Sequence, residues 1–154
     1  MTSIAPDPEE VEGLPQVGLF EHLGRAECLD LLARERFGRV VLSVDCMPVA
    51  FPVNLVVIGD DVYFMSAHGA KVDQAGGNSV VSIEADATDP IYHTGWSVLV
   101  TGMAEIVTDN ELAERVEREL SPWAPLDHPV VVRVPCTVVT GRRLTRRPPH
   151  RALT

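Results

Sequence analysis

Apolar, β-branched and aromatic runs alternate with turn residues along most of the chain, a pattern typical of β-strands. The first three runs, 39–44, 49–59 and 62–67, follow one another through short turns and predict an antiparallel meander. Pro52 predicts an edge, a bulge or an opening in the ladder, and Gly102 predicts a bend in the longest run. The predicted strands are 39–44, 49–59, 62–67, 78–86, 95–107, 129–134 and 136–144, the last two forming one or two closing strands.

Two segments have apolar residues at three- and four-residue spacing and predict amphipathic helices, 25–35 and 110–121. Asp109 or Asn110 is the expected N-cap of the second helix. The residues expected on the buried faces are Ala26, Leu29, Leu32 and Ala33 in the first helix and Leu112, Val116 and Leu120 in the second.

Strands outnumber helices, and no β-α-β alternation is present. We therefore expect a mainly β fold, an antiparallel barrel or sandwich with helices, and we disfavour doubly wound nucleotide-binding folds. The length of 154 residues suits one domain. Its expected bounds are 19–145, with a flexible acidic, proline-rich lead over 1–18 and a basic tail over 146–154.

Composition narrows the location and the partners. The sequence has neither a long apolar span nor a secretory signal, so we expect a cytoplasmic protein that is not inserted in a membrane. Cys28, Cys46 and Cys136 are odd in number and widely spaced, which favours buried or inert thiols.

The net charge is −9, although five arginines and no acid lie in the last thirteen residues. Such a tail suits either an anion contact or a frayed terminus, and we favour the terminus. Because the rest of the chain is strongly acidic, we expect no nucleic-acid partner.

Motifs for metal binding and nucleophilic catalysis are missing. The five histidines show no ligand spacing, and no serine lies in a nucleophile elbow. Glu84, Asp86 and Asp89 form an acidic run, which is more often a solvated strand end than a catalytic cluster.

The turn from Ser66 to Lys71 is more specific. A hydroxyl, a glycine-containing turn and then the only lysine of the chain could together bind one phosphate group. The alternative is an ordinary surface lysine after a turn.

Two tryptophans raise a similar choice. Trp96, flanked by Gly95 and Ser97, and Trp123, between two prolines, could contact a planar ligand or could anchor a core or an interface.

The ordered segments from "ECLDLLARERFGRVVLSV" through "FPVNLVVIGDDVYFMSAHGAK", "GWSVLVTGMAEIVTD", "SPWAP" and "VVTGRRL" resemble the pyridoxamine 5′-phosphate oxidase-like, flavin-binding split-barrel family, in particular its small actinobacterial-type members. The resemblance covers about residues 19–145. It implies a six-stranded antiparallel split barrel that forms a homodimer, with FMN held in two clefts at the subunit interface.

The same resemblance implies the site residues. It places the "FPVN" segment beside the flavin ring, the strand and turn after Phe64 at the phosphate, and the Gly-Trp-Ser segment and the "SPWAP" tryptophan at the cleft. The implied residues are Pro52, Val53, Asn54, Met65, Ser66, Lys71, Gly95, Trp96, Ser97 and Trp123.

Two positions depart from the family pattern. Met65 stands where relatives commonly have an arginine that would contact the phosphate, and Thr101 stands where a second arginine is frequent. Losing one or two charge-assisted contacts of about 1.5–3 kcal/mol each would weaken FMN binding and leave Lys71 as the main phosphate cation.

The expected function is that of an FMN-dependent oxidoreductase that passes hydride or electrons between flavin and a small-molecule acceptor. True pyridoxamine phosphate oxidation is disfavoured, because few basic residues remain to bind a phosphorylated substrate. The alternatives are a non-catalytic module that carries haem, a deazaflavin or another planar cofactor, and a purely structural dimer.

Overall fold

The computed structural model describes residues 19–67 and 79–145. The Lys71 turn, the predicted lead over 1–18 and the predicted tail over 146–154 lie outside these ranges. The described residues form nine strands and two helices, in the order β1 Leu19–His22, α1 Arg25–Arg34, β2 Phe37–Val44, β3 Met47–Ile58, β4 Asp61–Ala67, β5 Val80–Asp89, β6 Thr94–Met103, β7 Glu105–Ile106, α2 Asn110–Leu120, β8 Pro129–Pro135 and β9 Val138–Thr145.

The strands form one curled sheet in the order β1-β9-β6-β5-β2-β3-β4-β8-β7, and neighbouring strands run antiparallel. The mainly β, split-barrel prediction is therefore confirmed. The expected count of six strands is wrong, because the described residues form nine; β1 and β7, at the two ends of the sheet, account for two of the three additional strands. At four and two residues, these strands are too short to show a period in the sequence.

Strand β3 joins the two halves of the barrel. Its residues 47–54 pair with β2, whereas residues 55–58 pair with β4. One long strand thus passes from one half of the curled sheet to the other at the Asn54–Leu55 peptide.

The barrel closes where β6 crosses β8. A Cβ atom added at Gly102 would clash with the carbonyl oxygen of Pro135, so only glycine permits this approach of the two backbones. The bend predicted at Gly102 stays a prediction, but the predicted strand 95–107 divides two residues later, at Ala104. Strand β6 pairs with β5 and β9, and β7 pairs with β8.

The barrel interior is filled by alternate residues of the strands, and α1 packs over part of it. Cys28 and Leu32 of α1 are fully buried and lie four residues apart on one face. The face predicted for this helix was partly wrong, because Ala26 and Ala33 are exposed. The hydrophobic pattern counted these alanines as part of the buried face and left out Cys28, which is buried instead.

Helix α2 packs on the outside of the other half of the barrel. The carboxylate of Asp109 accepts hydrogen bonds from the N–H groups of Glu111 (2.9 Å) and Leu112 (3.2 Å), which identifies Asp109 as the N-cap. Val116 and Leu120 are buried as predicted. We call the sheet surface beneath them, Val56, Tyr63 and Val131, the covered face.

The outer surface of β2, β5, β6 and β9 has no helix over it in the described structure. Its exposed apolar residues are Val80, Leu99, Met103 and Val138, and we call it the open face. No helix in the described ranges is long and apolar enough to cross a membrane.

Candidate functional site

The barrel splits where β3 changes partners, and two groups of predicted site residues flank this point. Pro52, Val53 and Asn54 lie at the end of the β2 ladder. Met65 and Ser66 follow directly after Phe64, the residue of β4 that pairs with Leu55. The fold therefore brings the "FPVN" and "FMSA" segments together.

The backbone phase explains how Pro52 fits inside a strand. The Leu55 N–H donates to the carbonyl of Arg36 in the chain just before β2 (3.1 Å), so the nitrogen atoms two and four residues earlier also point to β2. The nitrogen of Pro52 then points away from β2, toward the side where residues 47–54 have no paired strand among the described residues. Its missing N–H costs no ladder bond, and of the three predicted alternatives the structure fits the edge.

Met65 and Ser66 point to opposite sides of β4. Ser66 shares the inward side with Phe64 and is only 6% exposed, the single polar member of the buried set among the described residues. Its hydroxyl makes no hydrogen bond to another residue in the described ranges. Met65 instead packs against the cluster under α2.

This placement bears on the expectation that Met65 replaces a phosphate-binding arginine. A side chain at position 65 lies toward helix α2, whereas the hydroxyl at position 66 lies toward the barrel interior. Met65 therefore contributes to helix packing, and Ser66 is the polar group that the strand presents at the split. The cofactor contacts predicted for both residues stay predictions.

Asn54 and Trp123, both predicted site residues, are in direct contact. The side-chain Oδ1 of Asn54 accepts from the backbone N–H of Trp123 (3.2 Å), and its Nδ2 donates to the backbone carbonyl of Arg36 (3.3 Å). Arg36 in turn donates from Nη1 to the carbonyl of Glu119 near the end of α2 (2.6 Å). These bonds fasten the loop after α2 to the start of β2.

The Trp123 ring stacks on Phe37. The ring centroids are 5.1 Å apart and the planes differ by 7°. Stacked pairs of this kind contribute about 0.5–1.5 kcal/mol beyond burial. Trp123 nevertheless remains 73% exposed and Phe37 37% exposed, so the pair forms an aromatic surface at the rim of the barrel.

The Gly95–Trp96–Ser97 segment lies farther along the sheet. Strand β6 is three strand spacings from β3, which is about 14 Å along the curled sheet. Gly95 is pressed against the β5 backbone, where an added Cβ would lie 2.7 Å from the Ala87 carbonyl oxygen. Trp96 packs against the barrel core, whereas Ser97 is exposed between Asp86 and Arg142, its register partners.

A charged cluster occupies the open face between these two parts. Arg39 Nη1 lies 3.2 Å from Glu84 Oε2 and 3.1 Å from Asp86 Oδ1. Burial and the nearby Asp86 raise the pKa of Glu84, although Arg39 opposes that shift. Asp89, the third acid of the run, accepts from the N–H groups of Ile91 and Tyr92 and shapes the β5–β6 turn.

Two further predictions concern single residues. Thr101, at the position of the second expected arginine, shares a 2.7 Å hydrogen bond with Ser82 on the open face. Lys71 lies outside the described residues, so its phosphate role stays a prediction.

The thiols differ in environment. Cys28 and Cys136 are buried and Cys46 is exposed, and none of the three forms a disulfide. Burial raises the pKa of the Cys136 thiol to about 11 and also raises the pKa of Cys28. These two fit the prediction of buried or inert thiols, and Cys46 does not fit the buried class.

The sequence interpretation missed Phe37, Arg39 and Arg142. Phe37 and Arg39 are paired with Asn54 and Pro52, and Arg142 is paired with Ser97. The missing information was the strand register, because each of these residues is far from its site partner in sequence.

Comparison with known proteins agrees with this architecture. The family described as pyridoxamine 5′-phosphate oxidase matches residues 24–143. The uncharacterized protein Rv0080 of Mycobacterium tuberculosis is 40% identical over 127 residues, which cover 79% of this chain and 84% of that protein.

Two solved structures are also similar. An FAD-binding protein from Mycobacterium smegmatis is 36% identical, with a TM-score of 0.65 over 82% of this chain and 99% of that chain. An FAD-binding protein from Mesorhizobium loti, 24% identical, has a TM-score of 0.73 over 82% of this chain and 99% of the other, and supports the fold alone. With a family match that spans most of the chain and the same split barrel, the protein belongs to the pyridoxamine 5′-phosphate oxidase family.

Proposed function

We propose that this protein binds a flavin at the split of the barrel and acts as an oxidoreductase that passes hydride or electrons to a small acceptor. The observation that carries the proposal is Ser66, a polar residue only 6% exposed whose hydroxyl makes no hydrogen bond in the described ranges, and which lies beside the point where β3 changes partners. The 36%-identical FAD-binding relative supports a flavin, and the resemblance noted above favours FMN.

The residues divide the work of holding the ligand. Ser66 and Lys71 would bind the phosphate end, with the serine hydroxyl as donor and the ammonium as a compact charge. Pro52 and Val53 would border the ring, and Trp123 would contact it from the rim. The bound flavin would supply the redox chemistry, while the protein supplies position and electrostatics.

The same proposal includes a homodimer. The open face carries Val80, Leu99, Met103 and Val138 as exposed apolar side chains, and burying such a surface is the main driving force for association. A second copy on this face would also help to enclose the space between Asn54 and Ser97, which lie on strands three spacings apart in the sheet order.

The direct test is a spectrum of the purified protein followed by titration. A yellow protein, or FMN fluorescence quenched at micromolar protein, supports the proposal. A colourless protein that fails to quench FMN and FAD at tens of micromolar overturns it. Haem and a deazaflavin belong in the same titration, because a preference for either would support the alternative of a cofactor carrier.

Lys71→Ala separates the phosphate anchor from the rest of the site. We expect at least tenfold weaker FMN binding, since one charge-assisted contact is worth about 1.5–3 kcal/mol. Riboflavin, which lacks the phosphate, should bind the variant and the parent equally. An unchanged FMN affinity would remove this lysine from the site.

A further inference from the structure

The amide of Asn54 is already engaged by the protein. Its Oδ1 accepts from the backbone N–H of Trp123, and its Nδ2 donates to the backbone carbonyl of Arg36. The two partners require opposite functions, one an acceptor and one a donor, and the amide of asparagine supplies both from separate atoms. Asn54 is therefore placed to hold neighbouring parts of the chain.

Asn54 holds the loop that carries Trp123, one of the two residues of the Phe37–Trp123 aromatic surface. The loop that carries Trp123 leaves α2 at Ser121, a residue with a left-handed backbone (φ 43°). The loop then meets β3 at Asn54 and lays the indole parallel to Phe37 at 5.1 Å. Phe37 covers one side of the indole, and the 73% exposure of Trp123 leaves the other side open among the described residues.

We infer that Asn54 is a positioning residue, which holds Trp123 against Phe37 so that the pair offers a preformed stacking surface to the planar ring of the ligand. The inference rests on the proposed flavin function for the identity of the ligand. It also assigns a role to Phe37, which neither the sequence pattern nor the resemblance singled out. Preformed aromatic surfaces favour planar ligands because little ordering remains to be done on binding.

The positioning part can be tested without any ligand. In a Trp96→Phe background Trp123 is the only tryptophan, so its emission and its quenching by acrylamide report on this loop alone. Asn54→Ala should raise the hydrogen-exchange rate of the Trp123 backbone amide about tenfold, and it should raise the acrylamide quenching of Trp123 only modestly, because the indole is already 73% exposed. Asn54→Asp keeps an acceptor for the Trp123 N–H and should restore most of the amide protection. Asn110→Ala, at the other end of α2, is the matched control and should change neither.

The ligand part is a titration of the full-length chain with FMN and, separately, FAD. Phe37→Ala and Asn54→Ala should each weaken binding about tenfold, as loss of a stacking contact predicts. Combined with Trp123→Ala, neither should weaken binding much further, because both act through the same ring. Phe37→Tyr, which keeps the stack, should bind like the parent protein.

The outcomes separate the two proposals. If the parent protein binds no flavin but Asn54→Ala frees Trp123, the flavin function fails and the positioning role stands. If flavin binds and Phe37→Ala leaves its affinity unchanged, the stacking surface is overturned while the flavin function survives. Unchanged quenching and exchange in Asn54→Ala overturn the positioning role outright.

Discussion

The two outer surfaces of this barrel carry similar residues, but only one of them is covered by a helix. Each carries apolar side chains on the sheet and an arginine bound to two carboxylates, Arg133 with Asp61 and Glu105 in one half and Arg39 with Glu84 and Asp86 in the other. Helix α2 lies over the covered face, whereas the open face has no such layer in the described structure.

The difference shows which face of the sheet is covered by the chain itself. A sheet face with a row of apolar side chains needs a second layer, and α2 supplies it on one side. On the other side Leu99 and Val138 stay exposed, without a second layer in the described structure. A second copy of the chain is the partner we propose, and the covered face then serves as an internal control.

Leu120→Ala should produce the largest loss of stability. Leu120 is 3% exposed and holds α2 on the covered face, so its truncation should lower the free energy of unfolding by about 2–5 kcal/mol. Urea denaturation at fixed protein concentration measures this, since dimerisation would make stability depend on concentration.

Leu126→Ala is the matched control, because Leu126 lies in the loop after α2 and is 37% exposed. It should change stability by no more than about 0.5 kcal/mol. Equal effects of the two substitutions would contradict the view that α2 is an integral layer of the fold.

Leu99→Asp should act on association and not on folding. Leu99 is 39% exposed and central on the open face, so a charge there is tolerated by one protomer but is costly when buried without a partner. We expect the dimer dissociation constant to rise at least tenfold, which is about 1.4 kcal/mol. Light scattering after gel filtration should show the mass falling by half.

Met47→Asp places the same charge on another exposed apolar residue, in the hairpin between β2 and β3. It should leave the mass unchanged. A parent protein that is monomeric at micromolar concentration, or a dimer that survives Leu99→Asp, would refute the proposed use of the open face.

Much of the fold could be predicted because its patterns are local. The stripe Val116 and Leu120 and the cap Asp109 are properties of one helix, and they were found. Strand β1 was missed, and β7 was predicted only as the end of the longer strand 95–107, because both are defined by pairing with distant residues. The buried face of α1 was partly wrong because a cysteine, not an alanine, fills the space beside Gly141.

The candidate site was harder to predict for the same physical reason. The resemblance supplied Asn54 and Trp123 separately, but their hydrogen bond spans 69 positions and appears only in the fold. Met65 and Ser66 are neighbours in sequence yet face opposite sides of β4, a fact fixed by strand phase and by the position of α2. Phe37 gave no signal until register placed it opposite Asn54.

The smallest expected effect is a pH dependence from the charged cluster of the open face. Burial, and then Asp86, raise the pKa of Glu84 in the folded protein. The folded state therefore holds the Glu84 proton more tightly than the unfolded chain does. This contribution to stability is present at low pH and is lost as pH rises through the interval between the ordinary and the raised pKa.

Glu84→Gln should remove that component, so the stability of the parent protein should fall relative to the variant as pH rises through this interval. Asp86→Asn should shrink the difference, because it removes a charge that raises the pKa of Glu84. Arg39→Gln should enlarge it, because Arg39 favours the ionised carboxylate. Urea midpoints over a pH series measure all four proteins. Identical slopes for the parent and Glu84→Gln would mean that the open face leaves Glu84 as solvated as it is in the unfolded chain.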